Sequence, residues 1–228
     1  MKTLTVKKII YWAMALMPLL ATSLCFPAFP EVIPGHYNLS GEVDRWGSRA
    51  ELFLMPGVAL LMAVIWWIFF EKMCQYSAKH GEPSNRKVLE VCKFAASILF
   101  ESMAYVSLVS AYRQASGLMR PLDILRVLAV LLCIGDLVIA NVLPKCRRNS
   151  WLGIRLPWTV EDDVLWHRTH RFGGKLMMAA GLVTLLLCLV IPNGFACIVT
   201  YVLGTAVVTL SIILYSYQLS LHNKRGAE

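Results

Sequence analysis

The sequence predicts an all-α polytopic membrane protein with six transmembrane helices, and three observations lead there. The 228 residues are 57% hydrophobic and only 16% charged, with a mean hydropathy of +0.60, whereas soluble domains carry about 25% charged residues. The apolar residues gather into runs close to the roughly 20 residues that cross a bilayer as a helix. Those runs are continuously apolar and lack the alternation of a barrel strand. Helix is the expected spanning form, because backbone groups in hydrocarbon must be satisfied within their own segment.

The predicted spans are Ile9–Phe26, Leu52–Phe70, Phe94–Ala111, Leu122–Leu143, Leu176–Ile191 and Phe195–Tyr217. The fifth is short, and Pro192-Asn193-Gly194 turns it tightly into the sixth. The first has a basic start and small residues at Ala21-Thr22-Ser23, features shared with a signal peptide. Its apolar stretch exceeds a typical signal core, so it reads as a retained span.

Charge orients the bundle. The N-terminus holds three Lys or Arg, residues 71–93 hold five, residues 144–175 hold seven and the tail holds two, so seventeen lie on one side. Arg45, Arg49, Arg113 and Arg120 lie on the other, and Arg126 falls within the fourth span. The positive-inside rule then places both termini in the cytoplasm. The net charge of +8 is a topology signal. Because the bases are spread over separate loops, it implies no direct nucleic-acid partner. Seven cysteines without CxxC spacing imply no disulfide framework, and they read as small apolar residues.

Two loops carry chemical information. The outer loop Pro27–Glu51 is punctuated by Pro27, Pro30 and Pro34, then by Gly35, Gly41 and Gly47, residues that restrict the backbone or permit tight turns. His36, Asn38, Asp44 and Trp46 are its ligand candidates, set close to the outer leaflet. By contrast, Gly81-Glu82-Pro83-Ser84-Asn85 in the first inner loop reads as a turn with little chemical content.

The second informative loop is 144–175, with three Trp, two His, three consecutive acids and seven Lys or Arg. Thr159 is its expected N-cap, opening a helix that runs from about Val160 into the fifth span, with Glu161, Asp162 and Asp163 in the first turn to complement the helix dipole. At 100° per residue, Asp163, Trp166, His167 and His170 share a face, and Arg168 and Arg171 point elsewhere. Three readings fit that face. One is a metal site of Asp163, His167 and His170, although no thiolate or second His-rich helix supports it. Another is an interfacial anchor of Trp158 and Trp166 at the headgroups. The third is a docking surface or folded cap, favoured by the density of aromatic and Arg residues.

Leu152-Gly153-Ile154-Arg155-Leu156-Pro157-Trp158-Thr159, followed by Asp163, Trp166, His170, Arg171 and Gly173-Gly174, resembles the signature of the SdpI family, multi-pass bacterial membrane proteins named for an immunity protein against a secreted toxic peptide. Leu156 stands where a small polar residue is more usual, and Val160-Glu161-Asp162 varies the helix start. Pro30-Glu31-Val32-Ile33-Pro34-Gly35-His36-Tyr37-Asn38, then Gly41, Asp44, Trp46-Gly47 and Pro56, resembles the small N-terminal domain that accompanies that signature. The two resemblances follow the family's order. They divide the chain into an N-terminal family domain (1–60), a middle pair of spans (61–121), an SdpI-like domain (122–217) and a tail (218–228).

The resemblance implies immunity to a toxic peptide met at the outer face. It also implies signalling, by docking a cytoplasmic transcriptional repressor. Gly153, Arg155, Pro157, Trp158, Thr159, Asp163, Trp166, His170 and Arg171 are the partner-binding candidates. The bilayer is the remaining partner. No enzyme, metal or cofactor is expected, since the sequence holds no nucleophile–base pairing, phosphate loop or dense ligand cluster.

Two acids fall inside the spans. Glu101 and Asp136 lie at similar depth and suggest function by default. They fit a shared proton, a pairing with a loop base, or a wet cavity. An alternative reading therefore makes the chain a small proton-coupled transporter or exporter that uses them. Asp123 and Arg126, at i and i+3, form an expected pair.

Overall fold

The computed structural model describes residues 2–38, 42–117 and 122–225. Gly41 and Arg120, which entered the sequence reading, lie outside the described residues. Among the described residues six helices are long and apolar enough to cross a membrane. They are α1 (Lys2–Cys25), α2 (Leu54–Lys79), α3 (Arg86–Ala115), α4 (Ile124–Val142), α6 (Asp163–Val190) and α7 (Gly194–Arg225); a short helix α5 (Pro157–Glu161) precedes α6.

The helices pack as two groups of three. One group is α1, α2 and α3; the other is α4, α6 and α7; α3 against α4 joins them. Small residues let the backbones approach, as is usual where lipid supplies no hydrophobic drive between helices. Ala59, Ala63, Ala104, Ala129 and Ala140 are all buried. A Cβ on Gly174 would sit 2.9 Å from the Ala140 carbonyl oxygen, so α6 meets α4 backbone to backbone there. Large side chains such as Ile9, Leu61, Leu189 and Val207 point outward instead, where acyl chains replace water.

Each group has a specific polar link. In the first, the Tyr11 hydroxyl donates to the Ala63 carbonyl at 2.7 Å and lies 2.6 Å from Ser97, tying α1 to both neighbours. In the second, the Tyr201 hydroxyl of α7 donates to Asp136 of α4 at 3.0 Å. The expected Asp123–Arg126 pair is present at 3.9 Å, and Asp123 also caps α4 by accepting the Arg126 N–H at 3.1 Å.

Two local features depart from the sequence reading. The outer loop contains an antiparallel hairpin, β1 (Val32–Tyr37) with β2 (Val43–Ser48), whose register is irregular between Pro34 and Tyr37. Pro34 is tolerated because a two-stranded sheet is all edge, and the extra residue at Gly35 bends the strand as a bulge does.

The second departure is the start of the fifth span. Thr159 is not its N-cap, and the helix is not continuous from Val160. Pro157 fits the first turn of α5, and Thr159 sits two residues on, its Oγ accepting the Leu156 N–H at 2.9 Å. The chain then breaks at Asp162 (φ −130°, ψ 121°), whose carboxylate accepts from Val164 and Leu165 N–H at 2.6 and 3.2 Å. Asp is among the strongest N-caps, so it restarts the helix as α6.

Candidate functional site

At the hairpin end, a cavity of about 470 Å³ opens between the two helix groups. Its wall is β1 from Ile33 to Tyr37, with Asn38 just beyond the strand. The opposite side is formed by Met103, Val106 and Ser107 of α3, the start of α4, and Pro192-Asn193-Gly194. Beneath the hairpin, Phe29, Ile33, Leu52, Leu108 and Ala111 form a buried apolar floor.

Arg45 fixes the hairpin over that floor. Its guanidinium donates to both carboxylate oxygens of Glu51, at 3.0 and 2.7 Å, and to the Gly35 carbonyl at 2.9 Å. Gly47 is needed for this fork, since a Cβ there would lie 2.2 Å from Glu51 Oε1. Ser110 of α3 adds a hydroxyl contact to Tyr37 at 3.3 Å. The sequence reading counted Arg45 only as a charge. The bracketing glycines, 35 and 47, were the available signal.

The four outer-loop candidates separate. His36 and Asn38 line the cavity. Asp44 lies 2.6 Å from His36 Nδ1 and orients its ring. Asn38 closes a ring with Glu42, accepting its N–H at 2.9 Å and donating to its carboxylate at 3.1 Å. Trp46 is 58% exposed and does not line the cavity.

At the basic end, the 144–175 segment folds around Trp166 and His170, both fully buried. The two rings stack with centroids 4.1 Å apart. Trp166 Nε1 donates to the Cys146 carbonyl at 2.8 Å. His170 Nε2 accepts the Ile154 N–H at 3.0 Å, and Nδ1 lies 2.8 Å from the Trp166 carbonyl. Both bonds together require the neutral Nδ1–H tautomer. Gly153 makes this approach possible. Its φ is +113°, and a Cβ would lie 2.3 Å from His170 Nε2.

The turn after α2 is not chemically empty, as the sequence suggested. Asn85 holds Arg147 by backbone, accepting its N–H and donating to its carbonyl, each at 2.8 Å. Glu82 takes the Ser150 hydroxyl. Asn149 then accepts the N–H groups of Trp151 and Leu152 at 2.8 and 2.7 Å. Cys146 is buried beside Asn149, and burial pushes its thiol up to about 11. Partners 62 residues apart leave no local pattern, which is why Asn85 was missed.

The expected shared face therefore divides. Trp166 and His170 point inward, while Asp163 and His167 are exposed. Asp163 pairs with Arg148 at 2.7 Å. Thr159 is buried, and Trp158 is half-buried, donating from Nε1 to Ser216 of α7 at 3.1 Å. Gly153, Arg155, Pro157 and Arg171 are exposed. Among the described residues no group of three or more His, Cys, Asp or Glu is placed to hold a metal.

The intramembrane acids also lie apart. Asp136 borders a small cavity of about 60 Å³ inside the second helix group. Glu101 is 4% exposed, and its Oε1 has no hydrogen-bond partner. No hydrogen bond joins the two acids among the described residues.

Residues 145–216 match the SdpI/YfhL protein family model, and residues 13–60 match a domain of unknown function, DUF1648. Over 221 residues the chain is 22% identical to the Immunity protein SdpI of Bacillus subtilis (strain 168), covering 96% of this chain and 99% of the relative. A 35-residue stretch is 46% identical to an uncharacterized protein of Archaeoglobus fulgidus, covering 15% of this chain and 19% of that one. No solved structure matches. The first match bears out the SdpI resemblance, and the six apolar helices fit a multi-pass membrane protein.

Proposed function

From the SdpI/YfhL likeness and its full-length reach, we propose that the chain is a bacterial cell-membrane immunity protein that gives resistance to a secreted toxic peptide. Both termini and the 144–175 segment face the cytoplasm, and the hairpin faces out; the Lys and Arg distribution supports this orientation. The mechanism is binding without chemistry. The single observation that carries this binding mechanism is the cavity of about 470 Å³ walled by residues 33–38. Its volume lies within the usual range for ligand pockets. Its apolar floor with His36, Asn38, Glu51 and Asp123 at the rim suits the side chains of an amphipathic peptide arriving at the outer leaflet.

Signalling is the finer part of the proposal. The exposed Arg155 and Arg171 offer a basic surface to a cytoplasmic repressor, with Trp166, His170 and Thr159 as the rigid support beneath. Asp163, paired with Arg148, and Trp158, held by Ser216, set the edges of that surface.

Survival tests the reading. A toxin-sensitive bacterium expressing the chain is challenged with conditioned medium from a peptide-secreting strain. Protection lost on Ser107→Trp, which fills the cavity, with membrane levels unchanged, is the expected result. Full protection by that variant excludes the cavity. No protection by the wild-type chain in the membrane favours the second reading, a proton-coupled transporter, for which the partnerless Glu101 oxygen is the supporting observation.

A further inference from the structure

At the basic end a second cavity of about 650 Å³ lies between the start of α1, the end of α2 and the start of α3. Five cations line it, Lys7, Lys8, Lys72, Arg86 and Lys93, against two acids, Glu71 and Glu90. Both acids are already engaged. Glu90 contacts Lys7 and lies 3.6 Å from Arg86, and Glu71 lies 3.6 Å from Arg86. Among the described residues Lys8, Lys72 and Lys93 have no carboxylate within ion-pair distance.

Lys93 is the unusual member. It is 6% exposed, yet it lines this cavity. Its ammonium rests on aromatic faces, 3.9 Å from the Trp67 centroid and 5.0 Å from that of Tyr11. Cation–π contacts hold a charge in place without neutralising it. A buried ammonium in that state favours an anion beside it.

The cavity does not end there. At Lys7, Glu90 and Phe94 it meets an apolar groove of about 690 Å³. The groove runs between α3 and α4 past Ile98, Leu131, Ile134 and Gly135, with Ile98 and Ile134 nearly half exposed toward the membrane. Lys87 adds another cation at its mouth. A cationic cup opening into a membrane-depth apolar groove matches one ligand shape, an anionic head on an acyl chain.

We propose that this composite site binds one anionic phospholipid. Its phosphodiester head lies among Lys8, Lys72 and Lys93, and an acyl chain lies along the α3–α4 groove, bridging the two helix groups. Lys8 and Lys72 are exposed, so neutralising them leaves the packing intact. A Cβ at Gly135 meets nothing within 4 Å, so Gly135→Leu starts its side chain in open space and narrows the groove that Gly135 lines.

Native mass spectrometry of the full chain in detergent tests this with three probes: phosphatidylglycerol, phosphatidylcholine with the same acyl chains, and glycerol 3-phosphate. Each basic residue near an anionic lipid surface contributes about a fivefold preference. The expected result is preferential retention of phosphatidylglycerol, abolished in Lys8→Gln/Lys72→Gln, with retention of both lipids lowered in Gly135→Leu. Equal retention of the two lipids by the wild-type chain overturns the proposal, as does lipid retention unchanged in both variants. Displacement of phosphatidylglycerol by an equal concentration of glycerol 3-phosphate also overturns it, because the site then takes a free anion.

Discussion

Gly153 and His170 show how a motif residue acts through backbone geometry. Two separate constraints meet at Gly153: a φ of +113° and the 2.3 Å approach that a Cβ would make to His170 Nε2. Gly81 carries the first constraint alone, since its φ is +67° with open space around it. Gly81→Ala is expected to cost about 1 kcal/mol from backbone strain. Gly153→Ala should cost about 3 kcal/mol or more, adding displacement of a buried ring. Thermal unfolding of the two variants in detergent checks the ordering, and equal losses would mean that the His170 contact relaxes without cost. His170→Ala leaves the Ile154 N–H without its acceptor, and about 1–3 kcal/mol is expected from that alone. Cys146 gives a chemical readout of the same core. Its thiol, pushed up to about 11 by burial, should resist maleimide at neutral pH in the folded protein and react once denatured, because the thiolate is the nucleophile.

The helices were legible in the sequence because a spanning helix is a one-dimensional signal: about twenty apolar residues suffice. The fifth span and its cap show the limit of that reading. Thr159 and Asp162 both have N-cap chemistry, and only the backbone angles at Asp162 decide which one starts the long helix. Asp162→Ala should therefore destabilise the start of α6 by about 1 kcal/mol, with faster amide exchange confined to Val164 and Leu165. Thr159→Ala should loosen Leu156 and Ile154 instead. The hairpin was hidden for a related reason. Its strands contain Pro34, Gly35 and Gly47, which read as turn residues, and its stability comes from the Arg45–Glu51 fork and the floor beneath it. Asn85 was invisible because its partner Arg147 lies 62 residues away. Asn85→Ala should raise amide exchange across residues 146–152, where the segment would lose both backbone bonds, without altering the α2–α3 packing.

At the scale of the molecule, hydropathy placed Glu101 and Asp136 at one depth but could not assign them to helix groups. A helix's depth follows from counting along it, whereas its rotation follows from packing. Asp136 turns toward Tyr201 and the interior of α4, α6 and α7. Glu101 is buried with one oxygen unpaired, four residues beyond Ser97, which Tyr11 engages within the other group. A proton shared between the acids would couple them strongly, and removing one would change the effect of removing the other. Residues without a common partner add instead, within about 0.5 kcal/mol. Glu101→Gln should raise thermal stability or leave it unchanged, because a neutral amide replaces a carboxyl with one buried oxygen left unpartnered. Asp136→Asn keeps an acceptor for the Tyr201 hydroxyl and should change stability by about 1 kcal/mol or less. The double variant should then equal the sum of the two. Non-additivity well above 0.5 kcal/mol would mean that the two helix groups communicate through these acids, and the transporter reading would gain the shared-proton link that the described geometry does not contain.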